Sequence, residues 1–185
     1  MRDVTYSMST SLDGFIVGPD GGFDFSTPDD EVFQLALDEV RGAAVHLLGR
    51  RLYETMLYWE TAEQDHELDA AEREFAAVWN ALPKVVFSST LTAVRGSHCL
   101  ASDGLAEEIE RLRPGDGDIA IGGATLAAAA AARDLIDEYR IRVYPVLLGG
   151  GTPFFARDAR RRDLVLVENR TIGPDVDYVR YRVRR

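Results

Sequence analysis

Residues 119–135 read IAIGGATLAAAAAARDL: a short apolar strand, two glycines, then a helix built almost wholly of alanine. A strand that runs through Gly122-Gly123 straight into a helix is the repeating unit of a parallel α/β sheet. Glycines at such a turn leave the backbone N–H groups unshielded. The helix that starts near Thr125 aims the positive end of its dipole at the same point. A helix without side chains can lie close on the sheet and hold the turn in place. The spacing thus offers a seat for an anion, with a plain tight turn as the alternative.

Working outward, two further stretches repeat the pattern. In LLGRRLYET (47–55) Gly49 frees the turn, and Arg50 and Arg51 put guanidinium groups at a helix start, a group suited to bidentate phosphate recognition. In VVFSSTL (85–91) Ser88, Ser89 and Thr90 supply hydroxyls at a strand end. In a parallel sheet all three stretches lie at the carboxyl edge, where open α/β sheets bind ligands. Two or three phosphate-friendly turns suit a dinucleotide better than a mononucleotide, and a phosphorylated ribose would account for the arginines. Taken singly, the arginines are also ordinary surface or ion-pairing residues, and Ser-Ser-Thr is also turn chemistry. Neither GxGxxG nor GxxxxGK[ST] occurs, so no standard Rossmann or P-loop reading is available.

The rest of the chain fits this frame. Residues 4–10 alternate as a strand, and SLDGFIVGPDGG (11–22) is loop chemistry. Thr27 is the expected N-cap of a helix with Pro28 just inside it, running to about Gly42. AAVHLLG (43–49) is a buried-type strand, 50–59 opens a helix, 60–69 is polar and irregular, and 70–82 is a helix stopped by Pro83. Strands follow at 84–90 and 97–102, a helix at 105–113, a strand at 118–121, and the alanine helix to about Ile136. The tail then holds three strands with no helix between them: EYRIRVYPVLLG, DLVLVENRTI and VDYVRYRVR. The expectation is one α/β domain over residues 1–185, its sheet parallel first and antiparallel at its end, with helices on both faces.

Composition narrows the function. The 185 residues carry a formal net charge of −10, which repels phosphate backbones and anionic lipid and leaves room only for a local basic pocket. Cys99 is the one cysteine, so no internal disulfide forms and a reducing cytoplasm is the expected setting. No apolar run approaches the ~18 residues of a membrane span. His46, His66 and His98 lie in no metal-ligand spacing, so no metal site is expected. There is no GxSxG elbow, and Cys99 beside His98 reads as a half-buried structural pair.

The order of STSLDGFI, LLGRRLYETM, FAAVWNALPKVVFSSTL and IAIGGATLAAAAAARDLIDEYRIRVYPVLLGGGTPFF resembles the dihydrofolate reductase superfamily. Within it, the chain looks most like the branch of the reductase domain at the C-terminus of the riboflavin-biosynthesis deaminase–reductase. The resemblance implies a dihydrofolate reductase-like fold with a central, mostly parallel eight-stranded sheet, NADPH as the hydride donor, and commonly a homodimer. It places Gly49, Arg50 and Arg51 on the cofactor's phosphates, Ser88 and Ser89 near the adenosine 2′-phosphate, and Gly122, Gly123, Ala124, Thr125 and Leu126 at the pyrophosphate. Asp13, Gly14, Phe15 and Ile16 match a loop that packs on the nicotinamide. Gly149 and Gly150, within LGGG (148–151), match a loop near the cofactor pocket. The chain departs from the pattern twice. The glutamate that precedes the glycine turn in riboflavin reductases is missing, and so is the deaminase domain with its metal ligands.

For chemistry, Asp30 is the first candidate for substrate anchoring or proton delivery, and Asp13 the second; dipole stabilisation and an ordinary turn are their respective alternatives. Phe15, Tyr53 and Trp59 are candidates for the substrate side, Tyr53 being equally suited to the core. The leading expectation is an NADPH-dependent reductase of a small heterocyclic or related unsaturated molecule. The alternatives are a pathway-specific reductase of a pterin or ribosylaminopyrimidine, and a non-catalytic NADPH-binding sensor or dimeric scaffold.

Overall fold

The structure, a computed structural model, describes residues 1–65, 67–156 and 160–185; the expectation concerning His66 lies outside them. Strands β1 (Val4–Ser11), β3 (Ala43–Gly49), β4 (Lys84–Phe87), β5 (His98–Leu100), β6 (Asp118–Gly122) and β7 (Glu138–Tyr144) join β9 (Leu164–Ile172) and β10 (Val176–Val183) in one eight-stranded sheet. Its order is β5-β4-β3-β6-β1-β7-β10-β9. The first six strands are mutually parallel, and β10 is antiparallel to both of its neighbours. Helices α1 (Asp30–Gly42), α2 (Arg50–Met56), α3 (Tyr58–Asp65), α4 (Ala70–Ala81), α5 (Leu105–Leu112) and α6 (Ala124–Ala131) cover it.

Side-chain parity sorts the core. Val4, Tyr6, Val45, Leu47, Ile119 and Ile121 point to the face packed with Ile109 of α5 and Leu126, Ala127 and Ala130 of α6. Leu48 and Val86 point to the other, where Leu37 of α1, Tyr53 of α2 and Phe75 and Trp79 of α4 meet them. Alternation along each strand is what lets one sheet serve two cores. The stripped α6 has the role expected of it, since Ala127 and Ala130 are buried directly on the strands.

Four local expectations are corrected. The N-cap of α1 is Asp29, not Thr27, and its carboxylate accepts the Val32 N–H at 2.8 Å; such a cap contributes about 1 kcal/mol. Residues 60–65, expected to be irregular, belong to α3, which begins at Tyr58. The alanine helix stops at Ala131 rather than near Ile136, and Asp134 follows with φ 54°. Part of the expected loop after β1 is strand: β2 (Phe15–Val17) pairs with β8 (Thr152–Pro153) as a small ribbon over the α6 face. In addition, Cys99 is exposed while His98 is buried, so the two lie on opposite faces.

Edge strand β9 begins Leu-Val-Leu-Val, with Val165, Leu166 and Val167 43%, 53% and 47% exposed. Among the described residues no helix is long and apolar enough to cross a membrane.

Candidate functional site

All six parallel strands end at one edge. Because β3, β6 and β1 are neighbours, the turns after Gly49, Gly122 and Ser11 converge there. The two glycine turns nearly touch: a Cβ placed on Gly123 would lie 3.7 Å from the Gly49 Cα. Gly123 has φ 97°, a conformation open to glycine, and is the N-cap of α6. Gly122 is glycine for another reason. A side chain there would collide with Leu52 and approach His46 Nε2 to 2.8 Å. Its bareness serves packing, whereas Gly123 shapes the turn.

The helix starts differ in a way that matters. α1 and α4 are capped by Asp29 and Asp69, and Glu107 lies against the glycine start of α5. α2 and α6 begin at Gly49 and Gly123 with no side-chain cap. Their first-turn N–H groups therefore stay available to an external acceptor. Arg50 donates to Glu54 and to Thr90 Oγ1, both at 2.7 Å. The Arg51 guanidinium is exposed and has no partner among the described residues. Ser88 Oγ accepts the N–H groups of Thr90 and Leu91, shaping its own turn, while Ser89 and Thr125 are exposed. These features fit NADPH, the group the fold implies. The α6 start, with Gly123, Ala124 and Thr125, would take the pyrophosphate, and Arg51 an added phosphate.

The loop after β1 is pinned. The Asp13 carboxylate accepts from the Ser11 hydroxyl at 2.6 Å and from the N–H groups of Leu148 and Gly149 at 3.1 and 2.7 Å. The Ser11 bond, then those from Gly149 and Leu148, hold its pKa below the ordinary value. Gly150 lies near Pro19, and a side chain on Gly151 would collide with the Val17 backbone. Ile16 is buried in the core beside Phe154, and Phe15 is partly exposed. Asp30 stands exposed in the first turn of α1, without a partner among the described residues. Tyr53 is 4% exposed and its hydroxyl accepts the Arg95 N–H at 3.0 Å, so it belongs to the core rather than to a substrate surface. Trp59 is partly exposed, its ring 4.7 Å from Phe75 and 6.2 Å from Phe33.

One region was not foreseen. On the face covered by α1 and α4, Ser7, Ser9, Ala120 and His46 remain partly exposed in the middle of β1, β6 and β3, although Leu48 and Val86 beside them are sealed. Phe33 and Ala36 of α1 and Leu52 and Met56 of α2, partly exposed themselves, pack with the Leu48 and Val86 cluster that adjoins this patch. Beside it, Glu39 accepts from Ser7 at 2.7 Å, Arg142 at 2.8 Å and the Tyr178 hydroxyl at 3.1 Å. Burial raises the Glu39 carboxyl, but Arg142 and Ser7 outweigh it and hold the group low. Burial, with the Lys84 charge, takes His46 down to about 4. Burial takes Lys84 down to about 8, against the pull of Glu60. Finding this partly exposed patch from sequence requires knowing which three strands are neighbours; the small residues Ser7, Ser9 and Ala120 were its only local signal.

An open sheet of this order, with glycine turns at the carboxyl edge and a two-stranded antiparallel end, defines the dihydrofolate reductase-like α/β class. Dihydrofolate reductase from Enterococcus faecalis, solved with NADP(H), superposes with a TM-score of 0.64 at 14% identity over 99% of this chain and 97% of that one. Residues 2–178 match the model of the RibD C-terminal domain, and the chain belongs to that family. It is 28% identical to the uncharacterized protein YyaP of Bacillus subtilis (strain 168) over 183 residues, 97% of this chain and 94% of YyaP. A crystal structure from Shewanella sp. PV-4, whose name assigns it only provisionally to riboflavin biosynthesis, shares the fold with a TM-score of 0.77, at 24% identity over the whole of both chains. A pyrimidine reductase-like protein from Corynebacterium diphtheriae follows at 0.65, 14% identical over 100% of this chain and 92% of its own.

Proposed function

We propose that the protein is an NADPH-dependent reductase of a small heterocyclic or related unsaturated molecule. The observation that carries this reading is the uncapped start of α6 at Gly123, set against the second glycine turn at Gly49. NADPH, when bound, supplies the hydride. The chain's own part is to hold phosphates on the α6 and α2 starts, with Arg50 and Arg51 on the ribose side. The β2–β8 ribbon screens one flank of the edge with Phe15 and Ile16, and Trp59 and Phe33 present an apolar wall to a substrate. Asp30 is the acid left free to anchor substrate or pass a proton. A pterin or a ribosylaminopyrimidine is the narrower substrate expectation, supported by the names of the structural relatives. Exposed Val165–Val167 support a homodimer, and the lone Cys99 a reducing cytoplasm.

A second reading, an NADPH sensor without turnover, has one observation in its favour: the Asp13 carboxylate is fully engaged in the 148–149 turn and Asp30 has no residue to orient it. The first test is a titration with NADPH and with NADH, followed by the fluorescence of Trp59 and Trp79. Saturable binding that prefers NADPH supports the phosphate roles. No binding of either nucleotide removes both readings. Asp30→Asn then separates them, since a reductase loses turnover while keeping the cofactor.

A further inference from the structure

A cavity of about 210 Å³ lies on the α6 face, away from the glycine turns. Ala128 and Ala131 line it about one and about two turns beyond the α6 start. Close packing on the strands explains the buried Ala127 and Ala130, but not these two, which are partly exposed. Leucine at either position would reach into the space, and a helix accepts leucine nearly as well as alanine. Tyr6, Tyr139 and Phe154 form the buried floor, with the Tyr6 and Phe154 rings stacked 4.3 Å apart. Phe155, 49% exposed, stands at the mouth, its ring 5.4 Å from that of Tyr139.

One polar group interrupts this apolar floor. The Tyr6 hydroxyl is buried with no hydrogen-bond partner, and a hydroxyl so placed calls for an acceptor. Burial, with Tyr139 beside it, pushes the phenol up, so it keeps its proton and donates. At the rim, Arg160 donates to Ala132 O and Arg162 to Ala131 O, both at 2.8 Å, and both guanidiniums lie beside the Asp134 carboxylate. Their charge is spent on Asp134 and the carboxyl end of α6, so the rim does not select an anion. The volume exceeds the roughly 150 Å³ that holds a benzene ring and falls short of the roughly 300 Å³ at which drug-sized pockets begin.

We propose that this cavity is a ligand site separate from the cofactor edge, taking a neutral single-ring aromatic molecule with a carbonyl oxygen. The ring packs between Phe155 and the two alanines, and the oxygen accepts from the Tyr6 hydroxyl. The site does not rest on the reductase reading.

The test is an NMR titration of protein labelled at the alanine methyls, with acetophenone as the neutral carbonyl probe. α-Methylstyrene, of the same shape without the oxygen, and benzoate, the anionic counterpart, are the comparisons. Saturable shifts are expected at Ala128 and Ala131, with Ala124 at the α6 start unmoved and a Kd below about 1 mM. α-Methylstyrene binds about tenfold more weakly, the loss of one neutral hydrogen bond, and benzoate is weaker than acetophenone as well. Tyr6→Phe brings acetophenone down to the α-methylstyrene level and leaves α-methylstyrene unchanged. Ala128→Leu, which fills the cavity, abolishes the shift at Ala131. No saturation with a Kd under about 1 mM, shifts that survive in Ala128→Leu, equal binding of acetophenone and α-methylstyrene, full acetophenone affinity in Tyr6→Phe, or benzoate binding as tightly as acetophenone each overturns the proposal. Should either variant not fold, the three titrations of the unaltered protein decide.

Discussion

The carboxylate of Asp13 accepts the N–H of Gly149 at 2.7 Å, joining the loop after β1 to the glycine turn before β8 across most of the chain's length. Asp13→Ala should release that turn. Hydrogen exchange is the check, with faster exchange expected at Leu148 and Gly149 and little change in β6 or β7. Because the folded pKa lies below the ordinary 3.8, the tie is intact above that value and loosens as pH falls below it. Unchanged exchange would mean the turn holds itself.

The two glycines of the α6 turn should fail in different ways. Gly123→Ala forces a Cβ into φ 97° and costs about 1–2 kcal/mol of stability, with NADPH affinity falling as the first-turn N–H groups reorient. Gly122→Ala overpacks Leu52 and His46 instead, costing about 1–3 kcal/mol. Urea midpoints and NADPH titrations on the same two variants separate geometry from packing.

Arg50 and Arg51 are adjacent but not equivalent. Arg50 is committed to Glu54 and Thr90, while Arg51 is unengaged. Arg51→Ala should leave stability within about 0.5 kcal/mol and cut the preference for NADPH over NADH about tenfold, as expected for a lost charged hydrogen bond. Equal affinity for both nucleotides in the unaltered protein would contradict this role.

Two buried bases shape the pH dependence. Between about 4 and 6.5 the unfolded chain binds a proton at His46 that the native state does not, so stability rises with pH through that window. For Lys84 the window is about 8 to 10.5, with the same sign. His46→Gln should flatten the acid limb in part, since His98 is also lowered. Lys84→Met should flatten the alkaline limb and, by removing a charge that helps lower His46 and His98, slightly soften the acid limb as well. Urea midpoints are best compared below pH 10, because buried Tyr6 and Tyr178 are pushed up and act in the opposite direction above it.

The sheet was readable because each strand announces itself locally, by alternation or by an apolar run closed with glycine. The alanine helix was readable in kind but not in length: Ala127 to Ala132 look alike, and the stop comes from Asp134 turning left-handed. α3 was lost because YWETAEQD carries few apolar residues, and its helix is held by Trp59 and Ala62 packing on α4 and Leu68. At the site, the glycine turns and their arginines followed from composition at strand ends. The partly exposed patch of Ser7, Ser9 and Ala120 did not, because it depends on the parity and adjacency of β1, β6 and β3, and that information is nonlocal. Tyr53 shows the same limit, since its distance from Arg50 along the helix cannot tell a wall residue from one whose hydroxyl is tied to Arg95.

Lys84, the chain's single lysine, is 1% exposed, with its ammonium bonded to Leu82 O and Ser97 Oγ and lying 5.0 Å from the Trp79 ring. Toward any reagent that seeks a primary amine, the folded surface is therefore almost blank. An amine-directed dye or crosslinker will leave Lys84 unmarked while the protein is native, and the appearance of a mark there will count the molecules that have opened.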